Sequence, residues 1–292
     1  MNEKIDLMIV GAQKAGTTSL KKYLEEHPSI CSHKETEFAY FRSDSQYANG
    51  FEKEFNNSFG RDIANDSKII AKSAGLYVTP KAIERLHDHN PDCKIVFLIR
   101  EPVSRAYSSY CMERFNGWLE NEFSDIVRVA KKKKAEDPLY TQFVNMGLYH
   151  LQLSNLLEHF SPDKIRVFVF EEFMKDPQKI CSEIYSWLNV DPNHQLQEKG
   201  IHNKTEKERS KQLSMLSKSL RKPNNPIKRL LRWLLPYSWF VSLSDKFLEL
   251  NKSGKKFEAI SETDKSALKE FYSEHNQKLF KMLNRSIPES WT

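Results

Sequence analysis

Hydrophobic positions in this chain fall into short, nearly unbroken runs, each closed by a polar turn and followed by a helical pattern. IDLMIV at 5–10 ends at Gly11, KIVFLI at 94–99 ends at Arg100, and IRVFVF at 165–170 ends at Glu171 and Glu172. Runs of this length without apolar–polar alternation predict strands buried on both faces. After the first run, Leu20, Tyr23 and Leu24 share one face of a helix predicted over 17–27 and stopped by Pro28. After the second, Pro102 stands at the first helical position, where its missing N–H costs nothing. After the third, Asp176 and Pro177 precede a helix through Ile180, Ile184 and Trp187. This alternation predicts βα units on a parallel sheet, with ligands beyond the carboxyl ends of the strands.

Helical spacing also marks 80–90, with Ile83 and Leu86 inward, and 144–160, with Leu148, Leu151, Leu156 and Leu157. A final helix is predicted over 261–284, buried through Leu268, Phe271, Tyr272, Leu279 and Met282. Ser261 and Asp264 form a capping-box pattern at its start, with aspartate in place of the usual glutamate. The stretch 219–243 mixes basic residues with Leu, Trp and Phe. It fits either a peripheral membrane contact or an ordinary packed helix pair broken at Pro236. The KKKK run at 131–134 reads as a solvated face or loop, with an acceptor-binding patch as the alternative.

Composition narrows the class. With 292 residues and 39% hydrophobic content, the chain can bury a core. A formal net charge of +6, from 45 Lys+Arg against 39 Asp+Glu, suits an anionic ligand. The charge is dispersed and of both signs, so no nucleic-acid partner is expected. Cys31, Cys93, Cys111 and Cys181 are far apart and form no C-x-x-C pair, which predicts reduced, buried thiols and no metal site. No signal peptide and no apolar stretch of membrane-spanning length is read, so a cytoplasmic protein is expected, with a membrane-peripheral one as the alternative.

Two strand-to-helix turns carry the candidate chemistry. GAQKAGTTSL at 11–20 has the glycine spacing of a phosphate loop, Gly11 and Gly16, but Thr17 stands where the Walker lysine belongs and the lysine is Lys14. A helix starting near Thr17 aims its N–H groups and positive dipole end at the loop. Ala15 and Gly16 supply close-approach backbone, Thr17, Thr18 and Ser19 supply hydroxyls, and Lys14 supplies charge. No strand-terminal aspartate completes a magnesium site of the NTPase kind, so metal-free transfer fits better. In IREPVSRAYSSY at 99–110, Arg100 and Ser108 could converge on a second phosphate. Two anion sites at neighbouring strand ends suggest a nucleoside with phosphates at both ends.

Together these stretches carry a family resemblance. KAGTTSL at 14–20 resembles the 5′-phosphosulfate loop of sulfotransferases that use 3′-phosphoadenylyl sulfate (PAPS), and FLIREPVSRAYSSY at 97–110 resembles their 3′-phosphate motif. SHKETEFAYF at 32–41 is similar to the K-E-x-x-F-F stretch of the heparan-sulfate-type, carbohydrate branch, and AKSAGLYV at 71–78 to its E-K-S-x-x-Y segment. Further matches are GLYHLQLSNLLEHF at 147–160, FVFEEFMKDPQ at 168–178 and FYSEHNQKLFKML at 271–283. The resemblance, to a bacterial-like cytoplasmic member, covers most of 5–190 and the last helix.

It implies an α/β fold: a P-loop-like parallel β-sheet flanked by helices, with a helical acceptor-side region built partly from 111–145 and 200–260. One sulfotransferase domain is expected over 1–292, with donor motifs in the 5–190 core, a variable segment at 200–260 and a C-terminal helix at 261–284. The implied reaction moves a sulfuryl group from PAPS to a hydroxyl or amine, leaving adenosine 3′,5′-bisphosphate. The acceptor implied is a carbohydrate or glycolipid, and no metal is needed. Lys14 then meets the charge that builds on the bridging oxygen. Glu35, the glutamate of K-E, matches the branch's base, with His33 as the competing base. Lys34 and Lys72 bind phosphosulfate or orient the acceptor, Lys72 matching the motif position. A basic loop at 201–211, with Lys204 or Arg209, would close over the 3′-phosphate. Two departures fall on the acceptor side: Glu37 where the branch often has histidine, and Ala71 for its usual glutamate. The rival functions are a P-loop kinase or NTPase and a non-catalytic nucleotide-binding protein.

Overall fold

A computed structural model describes residues 4–59, 66–197 and 257–292. The expected closing loop at 201–211, the basic amphipathic stretch at 219–243 and most of 200–260 lie outside the described residues. Packing gathers the chain into two compact units. The first comprises 1–105, 146–202 and 269–292; the second comprises 106–145 and 203–268.

The first unit is built on a parallel sheet of β1 (Leu7–Gly11), β2 (Ile30–Ser32), β3 (Lys68–Lys72), β4 (Lys94–Ile99) and β5 (Ile165–Val169), in the order β2-β3-β1-β4-β5. β1 and the stretch Ile95–Ile99 of β4 are wholly buried, which is why they read as unbroken apolar runs. Around the sheet stand α1 (Thr17–Glu25), α2 (Asp44–Ala48), α3 (Phe51–Phe59), α4 (Pro80–His89), α7 (Tyr149–His159), α8 (Phe170–Lys175) and α9 (Pro177–Leu188). The chain moves from β1 out to β2 and β3 on one side, then crosses to β4 and β5 on the other. The direction therefore reverses between β1 and β4, and the crevice at their carboxyl ends is the switch point where ligands of such sheets bind.

β2 and β3 are absent from the sequence prediction. Three residues of ICS are too few to show a period, and KIIAK buries its terminal Lys72 against expectation. β1 runs from Leu7 to Gly11, not over 5–10. On α7 the expected inward leucines divide: Leu148 and Leu156 are buried, whereas Leu151 is 50% exposed and Leu157 is also exposed. Tyr149, Gln152 and Leu153 take their places, because amphipathic side chains turn inward where they find partners. Trp187 is half-buried and lies under Arg166, 4.5 Å from guanidinium to ring centre. Cys31 is only partly buried, unlike Cys93, Cys111 and Cys181, and none of the four is in a disulfide.

The C-terminal helix spans Glu262–Met282. Ser261 Oγ accepts the Asp264 N–H at 3.1 Å and donates to Asp264 Oδ2 at 2.9 Å. Thus the serine half of the capping box forms, while the short aspartate reaches the hydroxyl. Leu268, Tyr272 and Leu279 are buried as expected; Phe271 is half-buried, and Met282 is exposed while Phe280 is buried in its stead.

The second unit contains the later turns of α5 (Pro102–Phe115) and α6 (Phe123–Lys131). Phe123 packs edge-on against Tyr107 and Tyr110, at 5.0 and 5.3 Å. The KKKK run is exposed where α6 ends, a favourable place for positive charge at the negative end of the helix dipole.

Candidate active site

The carboxyl ends of β1, β3 and β4 lie side by side, with Ile9 paired to Lys72 and Gly11 to Phe97. From β1 the chain turns through 12–16 into α1. Gly16 is the N-cap of α1, in the left-handed region at φ 83°, and offers no side-chain cap to the helix. A side chain at Gly16 would also meet the Phe170 ring at 2.9 Å. The glycine is therefore dictated by backbone conformation and by Phe170, besides allowing a ligand close to the loop. Lys14 also has positive φ, 71°, within the loop. With no side chain over the helix start, the N–H groups of the first turn and the positive end of the dipole face the crevice. Thr17 and Ser19 are buried, and Thr18 is half-buried.

Arg100, at the end of β4, reaches this loop. Its Nη1 donates to the Lys14 carbonyl at 3.0 Å, and its guanidinium lies 4.8 Å from the Phe170 ring centre. Tyr149 donates its hydroxyl to the Arg100 carbonyl at 2.9 Å, holding the strand end from beneath. The next residue, Glu101, caps α5 itself: Oε1 accepts from the Val103 N–H at 2.9 Å and Oε2 from Ser104 at 2.7 Å. Glu171 then joins two chain segments, accepting the Glu101 N–H at 3.1 Å and the Trp291 indole N–H at 3.2 Å. Ser108 lies farther along α5, half-buried, in the part that belongs to the second unit.

The segment 33–38 is stitched to the end of β3. The Lys72 N–H donates to His33 Nε2 at 3.0 Å, and the Phe38 N–H donates to the Lys72 carbonyl at 2.8 Å. His33 is 1% exposed, and burial, reinforced by Lys21 and Lys72, pushes it down to about 3. Glu35 is half exposed, with Oε2 4.0 Å from His33 Nδ1. Lys34 is exposed. Lys72 is buried and donates to Thr18 Oγ1 at 3.2 Å and to Glu37 Oε1 at 2.7 Å.

Of the residues singled out from sequence, Lys14, Ala15, Gly16, Thr17, Thr18, Ser19, Lys72 and Arg100 thus gather at one helix end, with His33 and Glu35 beside Lys72. Phe170, Tyr149, Glu171 and Trp291 support them without having been singled out. Phe170 closes an apolar run and Glu171 follows it, the position from which a strand-end residue reaches the crevice. Nothing in sequence ties Trp291 to Glu171.

A family model described as a sulfotransferase domain matches residues 4–280. A bifunctional heparan sulfate N-deacetylase/N-sulfotransferase 1 from Caenorhabditis briggsae is 26% identical over 198 residues, 63% of this chain and 22% of that protein. Heparan sulfate glucosamine 3-O-sulfotransferase 5 from Mus musculus is 25% identical over 194 residues, 63% of this chain and 53% of that protein. The chain therefore aligns to between about a fifth and about a half of the length of these relatives. A crystal structure of a sulfotransferase from Alicyclobacillus acidocaldarius superposes with a TM-score of 0.67 over 99% of both chains at 18% identity, a likeness of fold. Among the described residues no helix is long and apolar enough to cross a membrane.

Proposed function

The chain belongs to the sulfotransferase family, and from that premise we propose that it moves a sulfuryl group from PAPS to a hydroxyl or amine of a carbohydrate or glycolipid acceptor. One observation carries this: the Lys72 ammonium bonds Thr18 Oγ1 at the uncapped start of α1, and Arg100 bonds the Lys14 carbonyl in the loop before it. That cradle suits a phosphosulfate, whose negative charge meets helix N–H groups, hydroxyls and cations together. A Walker lysine at the helix start is not needed for it.

Each residue then has a role. Ala15, Gly16, Thr17, Thr18 and Ser19 hold the 5′-phosphosulfate. Arg100 holds the 3′-phosphate and also braces the loop through the Lys14 carbonyl. Glu35 removes the acceptor proton, the freed oxygen or nitrogen attacks sulfur, and the bond from sulfur to the bridging oxygen breaks. Lys14 meets the charge left on that oxygen. Glu35 is favoured over His33 as base because its carboxylate reaches solvent. His33 is buried, its Nε2 already accepts the Lys72 N–H, and its depressed basicity makes it a poor proton acceptor near neutral pH. The carbohydrate acceptor is supported by the heparan sulfate relatives.

Calorimetric titration with adenosine 3′,5′-bisphosphate and with ATP tests the donor, and transfer of labelled sulfate from PAPS to a glycan panel tests the reaction. The bisphosphate is expected to bind and labelled product to form. Tight ATP binding with no response to the bisphosphate would favour a kinase or NTPase, and bisphosphate binding with no transfer to any acceptor would favour a non-catalytic nucleotide-binding protein.

A further inference from the structure

Glu37 departs from the branch pattern, and the catalytic roles above leave it unused. Its carboxylate bridges two groups at the end of β3. Oε1 accepts from the Lys72 ammonium at 2.7 Å, and Oε2 accepts from the Ala74 N–H at 2.7 Å. Lys72 is 1% exposed, and its ammonium makes a second bond to Thr18 Oγ1, at the start of α1. Its backbone is held on both sides by the segment that carries Glu37, through His33 Nε2 and the Phe38 N–H.

The titratable groups facing this ammonium come from α1 and from the segment 33–38. Lys21 on α1 opposes its positive charge, His33 is neutral, and Glu37 alone among these supplies the opposite charge. Burial disfavours the charged lysine, and Lys21 adds to that; Glu37 works against both, by charge and by hydrogen bond. A histidine at this position has one acceptor nitrogen when neutral and carries no negative charge, so it could not bridge both groups. We propose that Glu37 is a positioning residue for sulfuryl transfer: it keeps the Lys72 ammonium charged and aimed past Thr18 at the phosphosulfate end of the donor loop. This rests on the sulfuryl-transfer function proposed above.

The test uses the full chain with Glu37→Gln, Glu37→His, Lys72→Ala and the Glu37→Gln/Lys72→Ala double variant. Glu37→Gln is expected to lower kcat ~10- to 100-fold, the effect of losing a charge-assisted contact that orients a reacting group. The alkaline limb of its kcat profile moves to lower pH, because the ammonium loses its proton more readily. Glu37→His fails to restore the rate, and the double variant is no slower than Lys72→Ala alone. Lysine NMR with isotope-labelled side chains, Lys72 being assigned from the Lys72→Ala spectrum, shows Lys72 titrating at lower pH in Glu37→Gln than in the parent. An unchanged alkaline limb and an unchanged Lys72 titration would overturn the proposal, as would additive losses in the double variant. The NMR titration needs no turnover. If the parent protein transfers no sulfate from PAPS, the function fails, while the titration still decides whether Glu37 holds the lysine's charge.

Discussion

The turns after β1 and β4 look alike in sequence and differ in kind. Each ends a buried central strand, opens a helix, and carries a cation and hydroxyl side chains. After β1 the helix begins at Gly16, with no side chain over its first N–H groups. After β4 the helix begins behind Glu101, whose two carboxylate oxygens already accept from Val103 and Ser104. The positive helix end is open in the first turn and neutralised in the second. A helix start is thus an anion site only when the residue before it leaves it bare. What the second turn contributes is a side chain: Arg100, set against the Lys14 carbonyl and Phe170, braces the first turn.

Substitutions can break or sharpen that contrast. Lys14→Ala is expected to cost the most, lowering kcat ~10²- to 10³-fold, the usual loss when a group facing developing charge is removed; single-turnover rates with PAPS measure it. Gly16→Ala should destabilise the fold by ~2 kcal/mol, from positive φ and the clash with Phe170, and weaken bisphosphate binding. Denaturant melts and calorimetry check both. Arg100→Lys should weaken bisphosphate binding by ~1–2 kcal/mol, because an ammonium cannot reproduce the planar fork that meets a carbonyl, a ring and a phosphate together. Glu101→Ala should cost ~1 kcal/mol of stability as a lost helix cap while leaving bisphosphate affinity unchanged. Tighter binding in that variant would mean that the second helix start is an anion site after all.

A separate prediction concerns pH. His33 is pushed down to about 3 by burial, with Lys21 and Lys72 adding to it, whereas the unfolded chain takes up a proton near its ordinary value of 6.5. The unfolded state therefore binds more protons between those values, and stability falls as pH drops from 6.5 towards 3. His33→Gln should flatten that slope, read from urea midpoints across the range.

Much of this is legible in the sequence. The three long apolar runs became β1, β4 and β5, since strands covered on both faces must be apolar at every position. The glycine loop is legible because glycine spacing, a lysine and a hydroxyl run are local features of one turn. The short strands β2 and β3 were not, since three to five residues carry no period. The inward face of α7 does not follow leucine spacing, because Tyr149 turns inward and bonds the Arg100 carbonyl, a partner that no spacing rule can foresee.

The sequence by itself determined the alternation of strand and helix, the parallel sheet and the identity of the loop that can cradle an anion. The alternation and the loop are features of residues near one another in the chain, and the parallel direction of the sheet follows from that alternation, although its ladders join distant residues such as Leu7 and Ile70. Only the tertiary structure decided that Glu101 closes the second helix start, that Arg100 serves the first turn, and that Glu37 holds Lys72 at Thr18. The last two join residues brought together by the strand order β2-β3-β1-β4-β5. The first turns on whether a side chain folds back on its own helix or reaches elsewhere, a choice set by burial and neighbours and not by residue type.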